Sequence, residues 1–319
     1  MIYRLLIILL FLFGCSPNKE STNKANQILK NEGVKLIVLG TTQDAGSPHI
    51  GCTKKCCEGL FENPPQDRKV VSLGLIDYRN KRKYLFEASP DIASQLKVLK
   101  SFAPFNHKEM PDGIFLTHAH IGHYLGLAYL GKEAISAAEV PVYTMPIMDD
   151  FLRTNGPWSQ LVNDQNIYLK SIKENETIQL GEGLKVLALK VPHRDEYSET
   201  VGYKIFGPNK TVLFIPDIDK WAKWELDIVA EIKQVDLAFL DATFYDAAEI
   251  KGRDISLIPH PFVVESMDLF QDLSKVEKAK VYFIHFNHTN PLLKNGSKAQ
   301  KKVTANGFNV AQYKQEFAL

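Results

Sequence analysis

Thr117-His118-Ala119-His120-Ile121-Gly122-His123 is the stretch on which the reading of this chain turns, with three of its nine histidines inside six residues. It follows Gly113-Ile114-Phe115-Leu116, an apolar run that reads as a buried strand. It precedes Tyr124 to Leu130, which reads as the start of a helix. Imidazoles at the carboxyl end of a strand, where the chain turns, can converge on one point. Neutral imidazole is the commonest metal ligand, and zinc takes three or four such donors in tetrahedral array. The alternative is a polar turn with surface histidines. Against it stand further ligand-type residues at the ends of strand-like runs: His193 after Leu187–Pro192, Asp217 after Val212–Pro216, and His285 after Val281–Ile284.

The other strand-like runs are Val34–Leu39, Val140–Tyr143, Leu184–Lys190, Gly202–Phe206, Thr211–Ile215, Val235–Leu240 and Val281–Phe286. Val70–Ile76 and Tyr84–Phe86 read as a hairpin. Ser89-Pro90-Asp91 reads as a helix start with Ser89 as cap, the helix running from Ile92 to about Leu99. A second helix is expected near Met148 to Arg153. Phe308 to Phe317 alternates weakly and suits an edge strand. No internal repeat interrupts the pattern, so residues 33–319 read as one domain. Hydrophobic residues make up 45% of the 319, enough for a substantial core, and the net charge of +1 gives no basic footprint for nucleic acid.

The amino terminus reads differently. Arg4 precedes an apolar run, Leu5–Phe13, too short for a comfortable membrane span. Leu12-Phe13-Gly14-Cys15 is similar to a bacterial lipoprotein signal, which implies that Cys15 becomes the lipidated first residue. Residues 1–14 are then the signal and residues 15–32, rich in Asn, Lys, Ser and Glu, a flexible tether. An ordinary signal peptide or a membrane anchor is the alternative. Either way the expected location is the cell envelope, with the membrane as a partner through the anchor.

Cys52, Cys56 and Cys57 remain, an odd number that cannot pair fully within the chain. They form either a structural zinc site or one disulfide with a spare thiol. The fourth zinc ligand would be His49, His260 or His288, and this cluster is expected to act apart from the catalytic chemistry.

The order of donors resembles the metallo-β-lactamase superfamily. The resemblance implies a four-layer αββα sandwich of the α/β class with its site at the sheet edges. It implies that His118, His120 and His193 hold a first metal, that Asp217 bridges, and that His123 and His285 serve a second. Gly122 stands where the signature has an aspartate, so one tight zinc and a weaker second are expected, unless Asp44 supplies the missing carboxylate. On that expectation, Gly122→Asp should raise occupancy toward two ions. Ala88–Ile92, Val140–Tyr143, Asp241–Phe244 and Ile284–Pro291 are similar to the pyrroloquinoline quinone biosynthesis protein B branch. The cysteine cluster falls where that branch, and a related phosphodiesterase of phosphonate metabolism, carries a zinc knot.

The expected chemistry is hydrolysis of a small molecule. A bound zinc lowers the pKa of water from about 16 to about 7, and hydroxide then attacks an ester, lactone, amide or phosphodiester bond. Asp44, Asp241 and His260 are candidate proton donors, and Asp217 acts beside the first metal. Tyr197 and Glu199 either line the substrate mouth or sit in a solvated loop. Two other functions fit the same donors: oxidative chemistry with iron or manganese in the site, and a non-catalytic metal-binding lipoprotein. Cys15→Ala is expected to block lipidation and leave a slower-processed precursor. Recovery of that variant fully mature and soluble, by fractionation and mass spectrometry, would favour an ordinary signal peptide.

Overall fold

The computed structural model describes residues 33–194, 196–250 and 254–319, and the signal, the tether and Cys15 lie outside the described residues. The chain opens with β1 (Val34–Gly40), whose alternate residues point opposite ways. Leu36 and Val38 enter one apolar cluster, Ile37 and Leu39 another. A strand buried on both faces reads as an unbroken apolar run, which is what Leu36–Leu39 shows.

β2 (Ser72–Asp77) and β3 (Arg82–Phe86) follow as an antiparallel hairpin, then α1 (Ile92–Phe102) and β4 (Gly113–Phe115). The histidine turn leads into α2 (Ile121–Tyr124) and a 3₁₀ turn over Leu125–Leu130. β5 (Val140–Thr144), α3 (Pro146–Thr154), α4 (Trp158–Asn163) and β6 (Ile167–Ser171) complete this half. The second half contains β7 (Thr177–Gly181), β8 (Leu184–Lys190), β9 (Val201–Phe206), β10 (Thr211–Ile215), α5 (Ile228–Lys233) and β11 (Leu237–Asp241). It ends with α6 (Val263–Leu269), α7 (Lys275–Lys278), β12 (Val281–Ile284), α8 (Lys298–Ala305), β13 (Asn309–Val310) and β14 (Glu316–Ala318).

The strands form two sheets, ordered β14-β1-β2-β3-β4-β5-β6 and β13-β12-β11-β10-β9-β8-β7. Phe86, Phe115, Tyr203 and Phe214 meet between them, while α1 covers the outside of the first sheet and α5, α6 and α8 the outside of the second. The result is an αββα sandwich, as expected.

Strand direction places the site. β1 and β3 both run antiparallel to β2, and β3, β4 and β5 are parallel, so β1, β3 and β4 end at one edge. β8 and β10 both run antiparallel to β9, and β10, β11 and β12 are parallel, so these four also end together. Thr42, just beyond β1, bridges Phe286, just beyond β12, and so joins the two edges. At the opposite end, Leu319 donates its N–H to Val34 O at 2.9 Å.

Several local expectations are corrected. The helix after the histidine turn starts at Ile121, which puts His123 in its first turn. Asp91, not Ser89, is the N-cap of α1; Ser89 Oγ instead accepts from Asp91 N and donates to Gln95 Oε1. The Phe308–Phe317 stretch supplies no single edge strand: β13 closes one sheet and β14 the other. β6 and β7 are additional to the strand-like runs above; each is five residues long and alternates exposed with more buried positions. Among the described residues, no helix is long and apolar enough to cross a membrane.

Phe115 is the keystone of the inter-sheet layer. Its ring stacks on Tyr143 at 4.3 Å and on Phe86 at 4.8 Å, and it is fully buried. Phe115→Ala is expected to cost about 3–5 kcal/mol of stability, read by denaturant unfolding. A loss below about 1 kcal/mol would show that the layer collapses around the gap.

Candidate metal centre

His118 and His120 lie on the turn that follows β4, and their rings meet edge to face with centroids 4.4 Å apart. Ala119 N donates to Ser198 Oγ at 2.7 Å, and Thr117 N to Glu87 Oε2 at 3.3 Å, which fixes the turn. His118 Nε2 stands 2.8 Å from His120 Nδ1, and His193 Nε2 stands 3.3 Å from that same atom. Asp217 Oδ2 closes the group, 3.4 Å from His118 Nε2 and 3.3 Å from His193 Nε2.

A second group adjoins it. Asp44 Oδ1 lies 3.0 Å from His123 Nε2 and 3.4 Å from His285 Nε2, with Asp217 Oδ2 3.8 Å from His123 Nε2. In each group the donor atoms all lie within 4.8 Å of one another, and Asp217 belongs to both.

The outer ring nitrogens explain why these atoms face inward. His118 Nδ1 is 2.9 Å from Thr117 Oγ1, and His285 Nδ1 is 2.9 Å from Thr243 Oγ1. His193 Nδ1 is 3.2 Å from Asp219 Oδ1, and His123 Nδ1 is 3.3 Å from Glu87 Oε1. An acceptor on one ring nitrogen sets the tautomer and leaves the other lone pair for a cation. Asp217 Oδ1 is buried without a hydrogen bond, although His260 Nδ1 lies 3.1 Å away. Inward lone pairs and a buried unsatisfied carboxylate oxygen fit divalent cations of the kind that take imidazole and carboxylate together.

The charge states agree. Burial, then His123, holds His118 well below its ordinary pKa, so it is neutral. Burial opposes protonation of His123, but Glu87 and Asp44 outweigh it and hold the pKa well above normal. His285 is raised to about 9: burial again opposes, and Asp217 prevails. Burial would raise Asp44, yet His123 keeps it well below the carboxylate range. Without a cation, protons on His123 and His285 balance the carboxylates. A cation entering must displace them.

The structure also sorts the proposed proton donors. Asp44, ionised between two imidazoles, has no proton to give. Nor has Asp241, which accepts from Thr243 N at 2.8 Å, Thr243 Oγ1 at 2.7 Å, Ile218 N at 3.2 Å and His260 Nδ1 at 2.9 Å. Burial opposes its ionisation, but His260 keeps its pKa low. His260 is the remaining candidate: Asp241 and Asp217 overcome burial and hold its pKa well above normal. Glu199 does not face the site. Its carboxylate accepts from Ile147 N at 3.1 and 3.0 Å at the start of α3, while Tyr197 packs on Phe151 at 5.6 Å.

At Gly122 the structure shows the exception stated above, with Asp44 grouped with His123, Asp217 and His285. A Cβ there would fall 2.4 Å from Asp44 Oδ1 and 2.5 Å from Asp44 Cα. The signature aspartate's place is taken by a carboxylate from another loop, so an aspartate at 122 cannot simply be added.

In the cysteine cluster, Cys52, Cys56 and Cys57 are free thiols gathered with His288. Cys52 Sγ and Cys56 Sγ stand 3.6 Å apart, close to the edge of about 3.8 Å in a tetrahedron of 2.3 Å zinc–sulfur bonds. Burial, then His49 and Lys54, lowers His288 to about 4, keeping it neutral. Burial, then Cys52 and Cys57, pushes Cys56 up to about 12, the mutual opposition of thiolates that a cation would relieve. His260 lies in the other centre, and the His49 ring packs against His288 with centroids 4.4 Å apart and planes tilted by 31°.

Glu87, Asp219 and Thr243 were missed as functional residues. Each ends or follows a strand, and Asp219 sits two residues from Asp217, the one signal that pointed to it.

A family model described as a beta-lactamase superfamily domain matches residues 82–286. The chain is similar to coenzyme PQQ synthesis protein B of Methylobacillus flagellatus, 26% identical over 308 residues, covering 86% of this chain and 97% of that protein. The Zn(2+)-bound PqqB structure from Methylobacterium extorquens superposes with a TM-score of 0.71 at 22% identity, covering 89% of this chain and all of the other. A diphosphatase from the PhnP family gives 0.59 at 21%, covering 89% and 96%.

Gly122→Ala is expected to lower, not raise, metal content, because the added carbon displaces Asp44. Elemental analysis should give a count falling toward that of Asp44→Ala. A count equal to wild type would contradict this placement of Asp44.

Proposed function

The chain belongs to the metallo-β-lactamase superfamily, and from that premise we propose that it is a zinc-dependent hydrolase of a small ester, lactone, amide or phosphodiester. The observation that supports this most is the convergence of His118, His120, His193 and Asp217 beside an unused imidazole, His260. Those four residues would hold one ion; Asp44, His123, His285 and the shared Asp217 would hold a second. Bound there, divalent zinc supplies acidity to water and polarises a carbonyl or phosphoryl oxygen.

The chain's own residues do the rest. Thr117, Asp219, Glu87 and Thr243 orient the imidazoles. Asp241 holds His260 through Nδ1 and keeps it protonated, so Nε2 passes a proton to the leaving group. A cleft of about 420 Å³ has His193 in its lining, with Pro192, Thr200, Lys223 and Trp224 around it. It has room for a small-molecule substrate. We place the enzyme in the cell envelope, held by lipid at Cys15, on the strength of the Leu12–Cys15 sequence.

A second reading, metal-dependent oxidation, is favoured by the similarity to a coenzyme PQQ synthesis protein. Metal analysis of protein purified without added metal separates the two: zinc supports hydrolysis, iron the alternative.

A screen of esters, lactones and phosphodiesters is expected to find turnover that a chelator abolishes and zinc restores. On the substrate so found, His260→Ala should retain its metals yet lose about 10²–10⁴ in kcat. Unchanged kcat would remove His260 from the mechanism. No hydrolysis in any class, with the sites filled, would overturn the proposal.

A further inference from the structure

We propose that the cysteine cluster sets the second site of the metal centre: a cation held by Cys52, Cys56, Cys57 and His288 fixes the two chain segments that deliver Asp44 and His285. The inference rests on reading both clusters as metal centres.

The two segments are those that the cluster joins. One runs from Asp44 after β1 to Cys52, the other from His285 after β12 to His288, three residues on. They are already laced together near the site. Phe286 N donates to Thr41 O at 2.7 Å, and Gln43 N to Phe286 O at 2.8 Å. The first segment is pinned at its two ends, where Thr41 N and Thr42 N donate to Lys69 O and Val71 N donates to Thr42 O, and Arg68 donates to Ser47 Oγ at 3.0 Å. From Asp44 to Lys69 it forms turns and bends, with neither helix nor strand, and it places no side chain in any of the three apolar clusters. A long loop without a core of its own needs another source of order. The four donors of the cluster, with His49 packed against His288, supply it.

Both second-site donors sit where small movements matter. His285 has a φ of 69°, a left-handed conformation that a non-glycine residue keeps only when its surroundings hold it. Asp44 Cα is seated so close to Gly122 that the glycine admits no side chain. The first site is built otherwise. His118 and His120 come from the turn after β4 and His193 from the end of β8, fixed by Thr117, Ser198 and Asp219. None of these belongs to the segments that the cysteines tie. Loss of the cluster's cation should therefore weaken the second site and spare the first.

Chelator-stripped full-length protein titrated with zinc, read by calorimetry and elemental analysis, tests this. Wild type should take three ions per chain. Cys56→Ser should bind the first-site ion with wild-type affinity and the second-site ion at least tenfold more weakly. Asp44→Ala identifies the second-site step. His288→Cys alone, which keeps four donors, should retain wild-type affinity at the second site. A thiol-blocking mercurial titrated into folded wild-type protein makes the same comparison if Cys56→Ser does not fold. Equal affinity at the second site with the cluster empty, or equal loss at both sites, overturns the coupling. A wild type with no zinc–sulfur bonds by X-ray absorption overturns instead the metal reading on which it rests.

Discussion

The organisation of this molecule depends on one buried carboxylate. Asp217 is 2% exposed, and a charge so placed is stable only when paired. Its Oδ2 faces His118, His193 and, at a longer distance, His123, while its Oδ1 faces His260. His118 and His123 share the histidine turn, while His193 and His260 come from two other segments, and the three meet only because seven strands from two sheets end together at one edge. Strand order and direction, the Thr42–Phe286 bridge and the left-handed backbone at His285 all serve that meeting. The apolar sandwich is the rigid support that keeps the donors at fixed spacing.

Most of the donors were legible in the sequence, and for a physical reason. A ligand residue ending an apolar strand interrupts a strong periodic signal, so His118, His120, His123, His193, Asp217 and His285 stand out. Their orienting partners do not. Glu87, Thr117, Asp219 and Thr243 are residue types that end many strands, and their roles depend on which ring nitrogen they face across the fold. The same limit left the cysteine cluster's fourth donor open among three histidines: only the tertiary path of the 285–290 turn sets His288 beside the thiols. Fold class followed from the strand pattern and the family resemblance, whereas β6 and β7, five residues each with at most two buried side chains, carry too little apolar sequence to stand out. Ser89 was read as a cap because its own segment suits one; the structure uses Asp91, whose carboxylate instead accepts from Val70 N.

The exchange between positions 44 and 122 shows how a site persists while its residues move. The carboxylate expected on the histidine turn arrives instead from the loop after β1, and the turn has lost its side chain to make room. Neither change works alone. An aspartate at 122 would collide with Asp44, and a glycine at 122 without Asp44 would leave two imidazoles facing only the shared carboxylate. The two positions are far apart in sequence, so the sequence offers Asp44 as a candidate replacement and only the fold brings it against Gly122.

Val34 and Leu319 lie together at the end of the first sheet remote from the metal centre. β1 carries the chain from that end to the loop of Asp44, a run of about 20 Å at 3.3 Å per residue. A linker, surface or fused protein joined to Gly33 therefore attaches at the heel of the sandwich, with the depth of a sheet between it and the mouth. The donors lie at the other edge, reached through the loops after β1, β4, β8 and β12.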